Sequence, residues 1–109
     1  MNSGRRWTVR DRWGNEIYLT DERWHHITDP MNHPEMTGFE EHLKDTIRLG
    51  QRQQDLLNPQ KYRYIRAFND LVRGNTHIVA IVIFRFKMGS DNKFTHNNYI
   101  LTAYQKKIG

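Results

Sequence analysis

The stretch HIVAIVIFRF, residues 77–86, determines the fold class of this chain. β-Branched and aromatic residues dominate it, and such residues favour an extended strand. Its uninterrupted apolar run, Ile78 to Phe84, suits a central strand covered on both faces, because an exposed face would show polar residues at every second position. The run is also far shorter than a membrane span. The chain is therefore expected to build a sheet around this strand.

Segments on both sides of this strand alternate with a period of two and are expected to pair with it. Lys61 to Phe68 alternates upstream, and Asn98 to Tyr104 forms the last strand, with Thr102 and Tyr104 on the same face. Gly89 to Lys93 predicts the loop that precedes the last strand. Together these segments predict a meander of three or four antiparallel strands.

The N-terminal part of the chain predicts a hairpin followed by a helix. Two short strands, Trp7 to Trp13 and Glu16 to Leu19, flank Gly14-Asn15, and both turn residues tolerate the positive φ of a tight turn. Thr20 is expected to cap the helix that follows, because two carboxylates come directly after it, where the helix dipole favours negative charge.

A loop and a second helix are expected next. Two prolines break Thr28 to Met36 into a loop. Thr37-Gly38-Phe39-Glu40 fits a capping box, apolar residues at helical spacing follow as far as Ile47, and Gly50 is expected to end the helix in a left-handed conformation. This order predicts one α+β domain over residues 1–109, with the hairpin and one or two helices packed on a four-stranded antiparallel sheet.

The net charge points to an anionic partner. Lys+Arg 17 against Asp+Glu 12 gives a formal net charge of +5, and the two halves of the chain differ in sign. Residues 1–45 carry 6 basic and 9 acidic side chains, a balance of −3, whereas residues 46–109 carry 11 and 3, a balance of +8. The strand-forming half is therefore expected to present a basic face to an anion such as a nucleic acid.

The chain contains no cysteine, which excludes disulfides, thiolate metal sites and cysteine nucleophiles. A reducing cytoplasm is the expected compartment. Residues 1–6 are polar and lack the apolar core of a secretory signal, so neither secretion nor a membrane partner is expected. No cofactor is expected either.

Four of the six histidines lie within eighteen positions. They are His25, His26, His33 and His42. Histidine gives and takes protons near neutral pH, so this density suits general acid and base catalysis on a phosphodiester. Two alternatives stay open: ordinary surface histidines near a helix end, or a metal bound by His26 and His33 with Asp29 or Glu35. The spacing matches no tight ligand motif, so no metal site is expected.

Arginine and hydroxyl side chains on the predicted strands could hold a phosphate. Guanidinium groups, here Arg66 and Arg85, bind phosphate in a bidentate manner and stabilise the charge of a pentacoordinate transition state. A hydroxyl such as that of Thr102 or Tyr104 can hold or protonate an oxygen. Each of these residues taken singly is also an ordinary surface residue of a sheet, and only together with the histidines do they indicate a site.

Basic and aromatic residues alternate along the strand that begins at Lys61, a pattern typical of surfaces that stack bases and bind a phosphate backbone. Core packing explains at least half of these rings whatever the function is, because alternation turns some of them inward. The residues expected to bind substrate are Arg63, Tyr64, Arg85 and Lys87.

Four short motifs follow one another between Val9 and Tyr104. They are Trp24-His25-His26-Ile27, His33-Pro34-Glu35-Met36, Tyr64-Ile65-Arg66 and Leu101-Thr102-Ala103-Tyr104. This order resembles the small nuclease domains of the barnase, EndoU, colicin and RelE-like (BECR) superfamily, and looks most like its phage-associated and cyanobacterial branch. The resemblance implies helices before a four-stranded antiparallel sheet and a metal-independent ribonuclease, commonly a toxin, so RNA is the expected partner. An acidic antitoxin or immunity protein docked over the site is a second candidate partner.

The resemblance also implies roles for particular residues. His26 would be the general base or acid, with His33 as its partner, and Arg66 would stabilise the phosphorane. Thr102 and Tyr104 would position the phosphate or the leaving oxygen. The doubled His25-His26 leaves open which imidazole faces the site.

Two other functions remain open at this point. The first is a non-catalytic nucleic-acid-binding domain, in which the basic half holds a backbone and the histidines do no chemistry. The second is a protein-interaction module, in which the acidic and basic halves recognise a partner.

Overall fold

The part of the chain that the structure describes, residues 4–109 of a computed structural model, starts with the predicted hairpin. Strands β1 (Arg5–Arg10) and β2 (Glu16–Thr20) pair antiparallel. Between them Gly14 has a φ of +84°, and the Asp11 carboxylate accepts hydrogen bonds from two backbone N–H groups of the loop. The turn is therefore stabilised by the Asp11 side chain as well as by the conformation of the glycine.

Helix α1 (Asp21–Thr28) begins as the sequence predicts. The hydroxyl oxygen of Thr20 accepts a hydrogen bond from the backbone N–H of Arg23 at 3.1 Å, which satisfies one donor of the first turn. The helix buries Trp24 and Ile27, four and seven positions after this cap. Its packing against the sheet is therefore fixed by two large apolar side chains on one flank.

Helix α2 (Glu40–Leu49) lacks the predicted capping box. Its N-cap residue is Phe39, and no side chain caps its first turn. The Glu40 carboxylate instead accepts hydrogen bonds from the Arg6 guanidinium and, at 2.7 Å, from the indole N–H of Trp7. These bonds tie the start of α2 to β1. Neither of the two α-helices within residues 4–109 is long and apolar enough to cross a membrane.

Gly50 ends α2 in an extended conformation with a φ of −73°, so the predicted left-handed ending is wrong. The position needs glycine for a different reason, which is the close approach of two backbone segments. A Cβ atom at Gly50 would clash with the carbonyl oxygen of Thr46 and would lie 2.7 Å from that of Ile65. The chain can therefore pass directly from the helix into the sheet only without a side chain here.

We expect Gly50→Ala to lower the free energy of unfolding by about 1–3 kcal/mol, since the clashing atoms belong to the backbone and cannot rotate away. Urea unfolding followed by circular dichroism measures this change. Arg48→Ala, at an exposed position of α2, is the control and should change stability by less than about 0.5 kcal/mol. Equal stability of Gly50→Ala and the parent chain would contradict the packing argument.

One sheet contains six strands in the order β1-β2-β8-β5-β4-β3. Its last four members are β3 (Gln51–Gln54), β4 (Lys61–Ala67), β5 (His77–Ile83) and β8 (Asn98–Lys106). These four pair antiparallel, whereas β2 joins β8 in a parallel pair. The predicted α+β class is confirmed, but the sheet has six strands where four were expected, because the N-terminal hairpin joins it.

The end of the stretch 77–86 leaves this sheet. β5 stops at Ile83, three residues before the predicted end, and the chain then forms a separate antiparallel ribbon. The ribbon consists of β6 (Phe86–Met88) and β7 (Phe94–His96), joined by the loop predicted over 89–93.

The strand register divides the sheet into two faces, because directly opposed residues point to the same side. The helices cover the face that carries Ile78, Ala80 and Val82, which share one core with Leu43 and Ile47 of α2. We call the opposite side the open face. Its residues on the central strands are Lys61, Arg63, Ile65, Ala67, His77, Val79, Ile81, Ile83, Tyr99, Thr102, Tyr104 and Lys106.

Candidate functional site

Tyr104 lies at the centre of the candidate site on the open face. It is paired with Val79 of β5, and it lines a cavity of about 530 Å³ together with Arg63 and Ile81. The connection from β3 to β4 forms the far wall of this cavity. The remaining lining residues are Gln53, Gln54, Asp55, Leu56, Leu57 and Lys61.

His33 packs against this tyrosine. The centroids of the His33 and Tyr104 rings are 5.4 Å apart, and the ring planes are tilted by 32°. The Nδ1 atom of His33 lies 3.4 Å from Oε2 of Glu35. The same carboxylate oxygen accepts a hydrogen bond from the backbone N–H of Gln105 at 3.3 Å, and the Gln105 amide donates to the Glu35 carbonyl at 2.9 Å. Glu35 therefore connects the histidine to β8.

The loop that carries His33 runs along a free edge of β8. Within residues 4–109, β2 pairs with β8 only at Asn98 and Tyr99, so the rest of β8 has no strand neighbour on that side. The backbone N–H of His33 donates to the carbonyl of Ile27 at 2.8 Å, and a 3₁₀ turn follows over Pro34–Met36. Burial of the Met36 side chain in the core anchors this turn. The loop thus occupies the place of a missing edge strand.

Arg63 brings positive charge into the cavity. It is opposite Ile81, which is opposite Thr102, so the three side chains form a row across the open face. The Nε atom of Arg63 is buried without a hydrogen-bond partner, and none of the ion pairs within residues 4–109 includes Arg63. An arginine without a carboxylate partner on a concave surface favours binding of an anion.

The carboxylate of the cavity wall belongs to Asp55. Hydrogen bonds from the backbone N–H groups of Leu57 and Asn58 lower the pKa of Asp55 below its ordinary value. The nearest cation is Lys61, whose Nζ lies 3.8 Å from Oδ2 of Asp55. This pairing leaves the Arg63 guanidinium as the cation in the cavity that a bound anion can use.

Two residues of the predicted site lie on the helix-covered face. Arg66 is opposite Ile78, and its guanidinium lies 4.8 Å from the centroid of the Phe68 ring. Tyr64, predicted to bind substrate, is fully buried and donates a hydrogen bond to the Asp11 carboxylate, so its side chain does not line the open face. Arg66 is separated from the open face by the sheet itself, because positions 64 and 66 alternate with position 63.

The other predicted site residues are more accessible, but they do not all lie beside Tyr104. Thr102 is half-buried on the open face, which also carries Tyr104. His26 is exposed on α1, and within residues 4–109 its ring has no hydrogen bond, ion pair or aromatic contact. Arg85 lies 5.9 Å from the ring centroid of Tyr99, and Lys87 is exposed in the ribbon.

Glu35 is the site residue whose role the sequence does not reveal, since its spacing from the histidines suggests only a metal ligand. The sequence feature that could have indicated its role is its position two residues after His33, with a proline between them. Within residues 4–109 no group of three or more His, Cys, Asp or Glu side chains is arranged to hold a metal ion.

Comparisons of the chain with protein-family models, curated proteins and solved structures found no match. The geometry of the open face is therefore the evidence for function. That geometry combines the His33 imidazole, whose Nδ1 lies 3.4 Å from a carboxylate oxygen, the Tyr104 ring packed against this imidazole, and the nearby guanidinium of Arg63. Such a set can move protons and stabilise negative charge on a phosphate.

Proposed function

We propose that this protein is a metal-independent endoribonuclease that cleaves RNA on the open face of its sheet. The contact between His33 and Tyr104, beside a cavity that contains Arg63, is the observation that carries this proposal. The three side chains supply a proton acceptor, a hydroxyl donor and a positive charge, which are the groups that cleavage of RNA by its own 2′-hydroxyl needs. The cavity volume is also in the range of small-ligand sites.

His33 is the general base in this mechanism. Glu35 beside Nδ1 favours the tautomer that carries its proton there, which leaves Nε2 free to accept the proton of the 2′-hydroxyl. The 2′-oxygen attacks the adjacent phosphorus, and the bond from phosphorus to the 5′-oxygen breaks. The departing oxygen takes the hydroxyl proton of Tyr104, and the protonated His33 then gives its proton to the Tyr104 oxygen through solvent. The products are a 2′,3′-cyclic phosphate and a free 5′-hydroxyl.

Arg63 stabilises the charge that develops on the phosphorane, and Thr102 donates a hydrogen bond to a phosphate oxygen from the same row. In this mechanism Arg63 takes the role that the family resemblance gives to Arg66, since Arg63 shares a face with Tyr104. The order of segments supports a BECR-like nuclease in which β8-β5-β4-β3 is the four-stranded antiparallel sheet. An acidic antitoxin or immunity protein would then cover the basic open face.

Cleavage of a single-stranded RNA in excess chelator tests the proposal. We expect the rate to be the same with and without chelator and the products to end in a cyclic phosphate. Arg63→Ala should lower the rate by about 10²–10³-fold, because the phosphorane loses its main positive partner. Arg48→Ala, on the surface of α2, is the control for loss of an exposed arginine.

Three outcomes would contradict this function. Loss of cleavage on chelation would mean metal chemistry. A larger loss from Arg66→Ala than from Arg63→Ala would mean that the reaction takes place on the other side of the sheet. Salt-dependent RNA binding without any product would mean a non-catalytic nucleic-acid-binding domain.

A further inference from the structure

The β6–β7 ribbon leaves two aromatic rings in solvent. Strand pairing puts Phe86 opposite His96 and Met88 opposite Phe94, so these four side chains share one face of the ribbon. Phe86 and Phe94 each keep 68% of their surface exposed, and Met88 keeps 51%. A contiguous apolar patch of this kind marks a binding surface more often than a solvated one.

The charges around these rings indicate the class of ligand. Arg85 and Lys93 are exposed next to the two rings in the chain, and Lys87 is exposed on the other face of the ribbon, opposite Thr95. Asp91 is the only acidic residue of the segment 85–96. The Asp91 carboxylate is used inside the turn, where it accepts a hydrogen bond from the backbone N–H of Lys93 at 3.1 Å. Exposed rings interleaved with cations suit single-stranded nucleic acid, whose bases stack on the rings while its phosphates meet the cations.

The dimensions of the ribbon argue against a second protein as its main ligand. Each of its two strands contains three residues. A stable protein interface buries roughly 1,200 Å² or more in total, which a ribbon of this length cannot supply alone. A nucleic-acid base, by contrast, can stack on a single aromatic ring, so the ribbon is large enough for this ligand.

The base of the ribbon connects to the open face. Thr95 and His96 line a cavity of about 360 Å³ together with Tyr18 and Arg10. Tyr18 is paired in register with Tyr99, and the centroids of their rings are 6.1 Å apart. Aromatic and basic side chains therefore continue from the ribbon onto the open face that carries the candidate site.

We propose that the β6–β7 ribbon is a base-stacking subsite for single-stranded RNA. Phe86 and Phe94 each stack one base, and Arg85 and Lys93, their neighbours in the chain, contact the phosphates. The link to a cleavage site rests on the proposed function, but the binding itself requires no catalysis. The subsite would hold the substrate outside the cavity at Tyr104 and lengthen the stretch of RNA that the protein recognises.

Fluorescence anisotropy with a labelled 2′-O-methyl oligoribonucleotide tests this subsite, because that probe cannot be cleaved by attack of its own 2′-oxygen. We expect the double variant Phe86→Ala, Phe94→Ala to bind the probe at least about tenfold more weakly than the parent protein. The double variant Phe86→Trp, Phe94→Trp should bind at least as well as the parent, since indole rings also stack. Met31→Ala, another exposed apolar residue, is the control.

The outcomes separate this subsite from the proposed function. Equal affinity of the alanine variant and the parent, with RNA still cleaved, would overturn the subsite and leave the nuclease. Ring-dependent binding without any cleavage of RNA would support the subsite and overturn the nuclease. Equal binding of a double-stranded probe, failure of the tryptophan variant to bind, or absence of binding by the parent would each overturn the subsite. Circular dichroism verifies that the variants are folded.

Discussion

Replacing His33 with alanine is expected to lower the rate of RNA cleavage by about 10²–10⁴-fold, the usual contribution of a general base. The imidazole is in contact with Tyr104, and in the proposed mechanism it takes the proton of the 2′-hydroxyl and later restores that of the phenol. The side chain is partly exposed, so its loss should change stability little. Single-turnover cleavage in excess chelator, with enzyme above substrate, measures the chemical step.

Two other histidines provide the comparison for this experiment. His25→Ala removes an exposed imidazole of α1 and is the control. His26→Ala distinguishes two assignments of the general acid or base. The sequence motif assigns this role to His26, whereas the ring contact with Tyr104 favours His33. If His26→Ala reduces the rate more than His33→Ala, the assignment of the general base to His33 is wrong.

Asp11→Asn is expected to lower the free energy of unfolding by about 3 kcal/mol at neutral pH. Asp11 is a buried carboxylate that accepts hydrogen bonds from the Tyr64 hydroxyl, the Asn15 amide and two backbone N–H groups. Oδ2 of Asp11 also lies 3.8 Å from the guanidinium of Arg52. An amide of the same size cannot accept on both sides and leaves Arg52 without its anion.

The effect of this variant should depend on pH. Burial raises the pKa of Asp11, but the hydrogen bonds from Tyr64 and Asn15 outweigh burial and bring the pKa below its ordinary value of 3.8. The folded state therefore binds this proton less readily than the unfolded state, and the ionised carboxylate stabilises the fold above that value. This contribution is lost as the pH falls through the lowered pKa.

Urea unfolding at pH 7, 5 and 3 measures this dependence. The difference in stability between the parent and Asp11→Asn should be constant from pH 7 to pH 5 and should shrink at pH 3. Glu22→Gln, an exposed carboxylate of α1, should leave the parent's profile nearly unchanged. A stability difference that grows toward low pH would contradict the role assigned to the Asp11 carboxylate.

Local patterns were sufficient to predict most of the elements but not their assembly. The hairpin, the cap of α1 and the strands β4, β5 and β8 follow from turn residues and two-residue alternation. β3 could not be predicted, because its sequence Gln-Arg-Gln-Gln has no apolar residue at alternate positions. The six-stranded sheet could not be predicted either, since the parallel pairing of β2 with β8 joins segments about eighty positions apart.

The candidate site was predicted in part for a similar reason. Alternation implies that Arg63 and Arg66 lie on opposite faces of β4, but only the packing of the helices decides which face stays open. The helices cover the face of Arg66, which leaves Arg63 beside Tyr104. The support of His33 by Glu35 depends on hydrogen bonds to Gln105, seventy positions away, and no local pattern records such a contact.

Because β2 pairs with only a short part of β8, the sheet and the segment that carries His33 are expected to differ in stability. The sheet is held by continuous strand ladders, whereas the segment with His33 is joined to β8 through the bonds between Glu35 and Gln105 and the buried Met36. A local opening of that segment costs less free energy than global unfolding and moves the imidazole away from Tyr104. In the proposed mechanism, activity therefore depends on this segment, and heat or denaturant can abolish it while the strands remain paired.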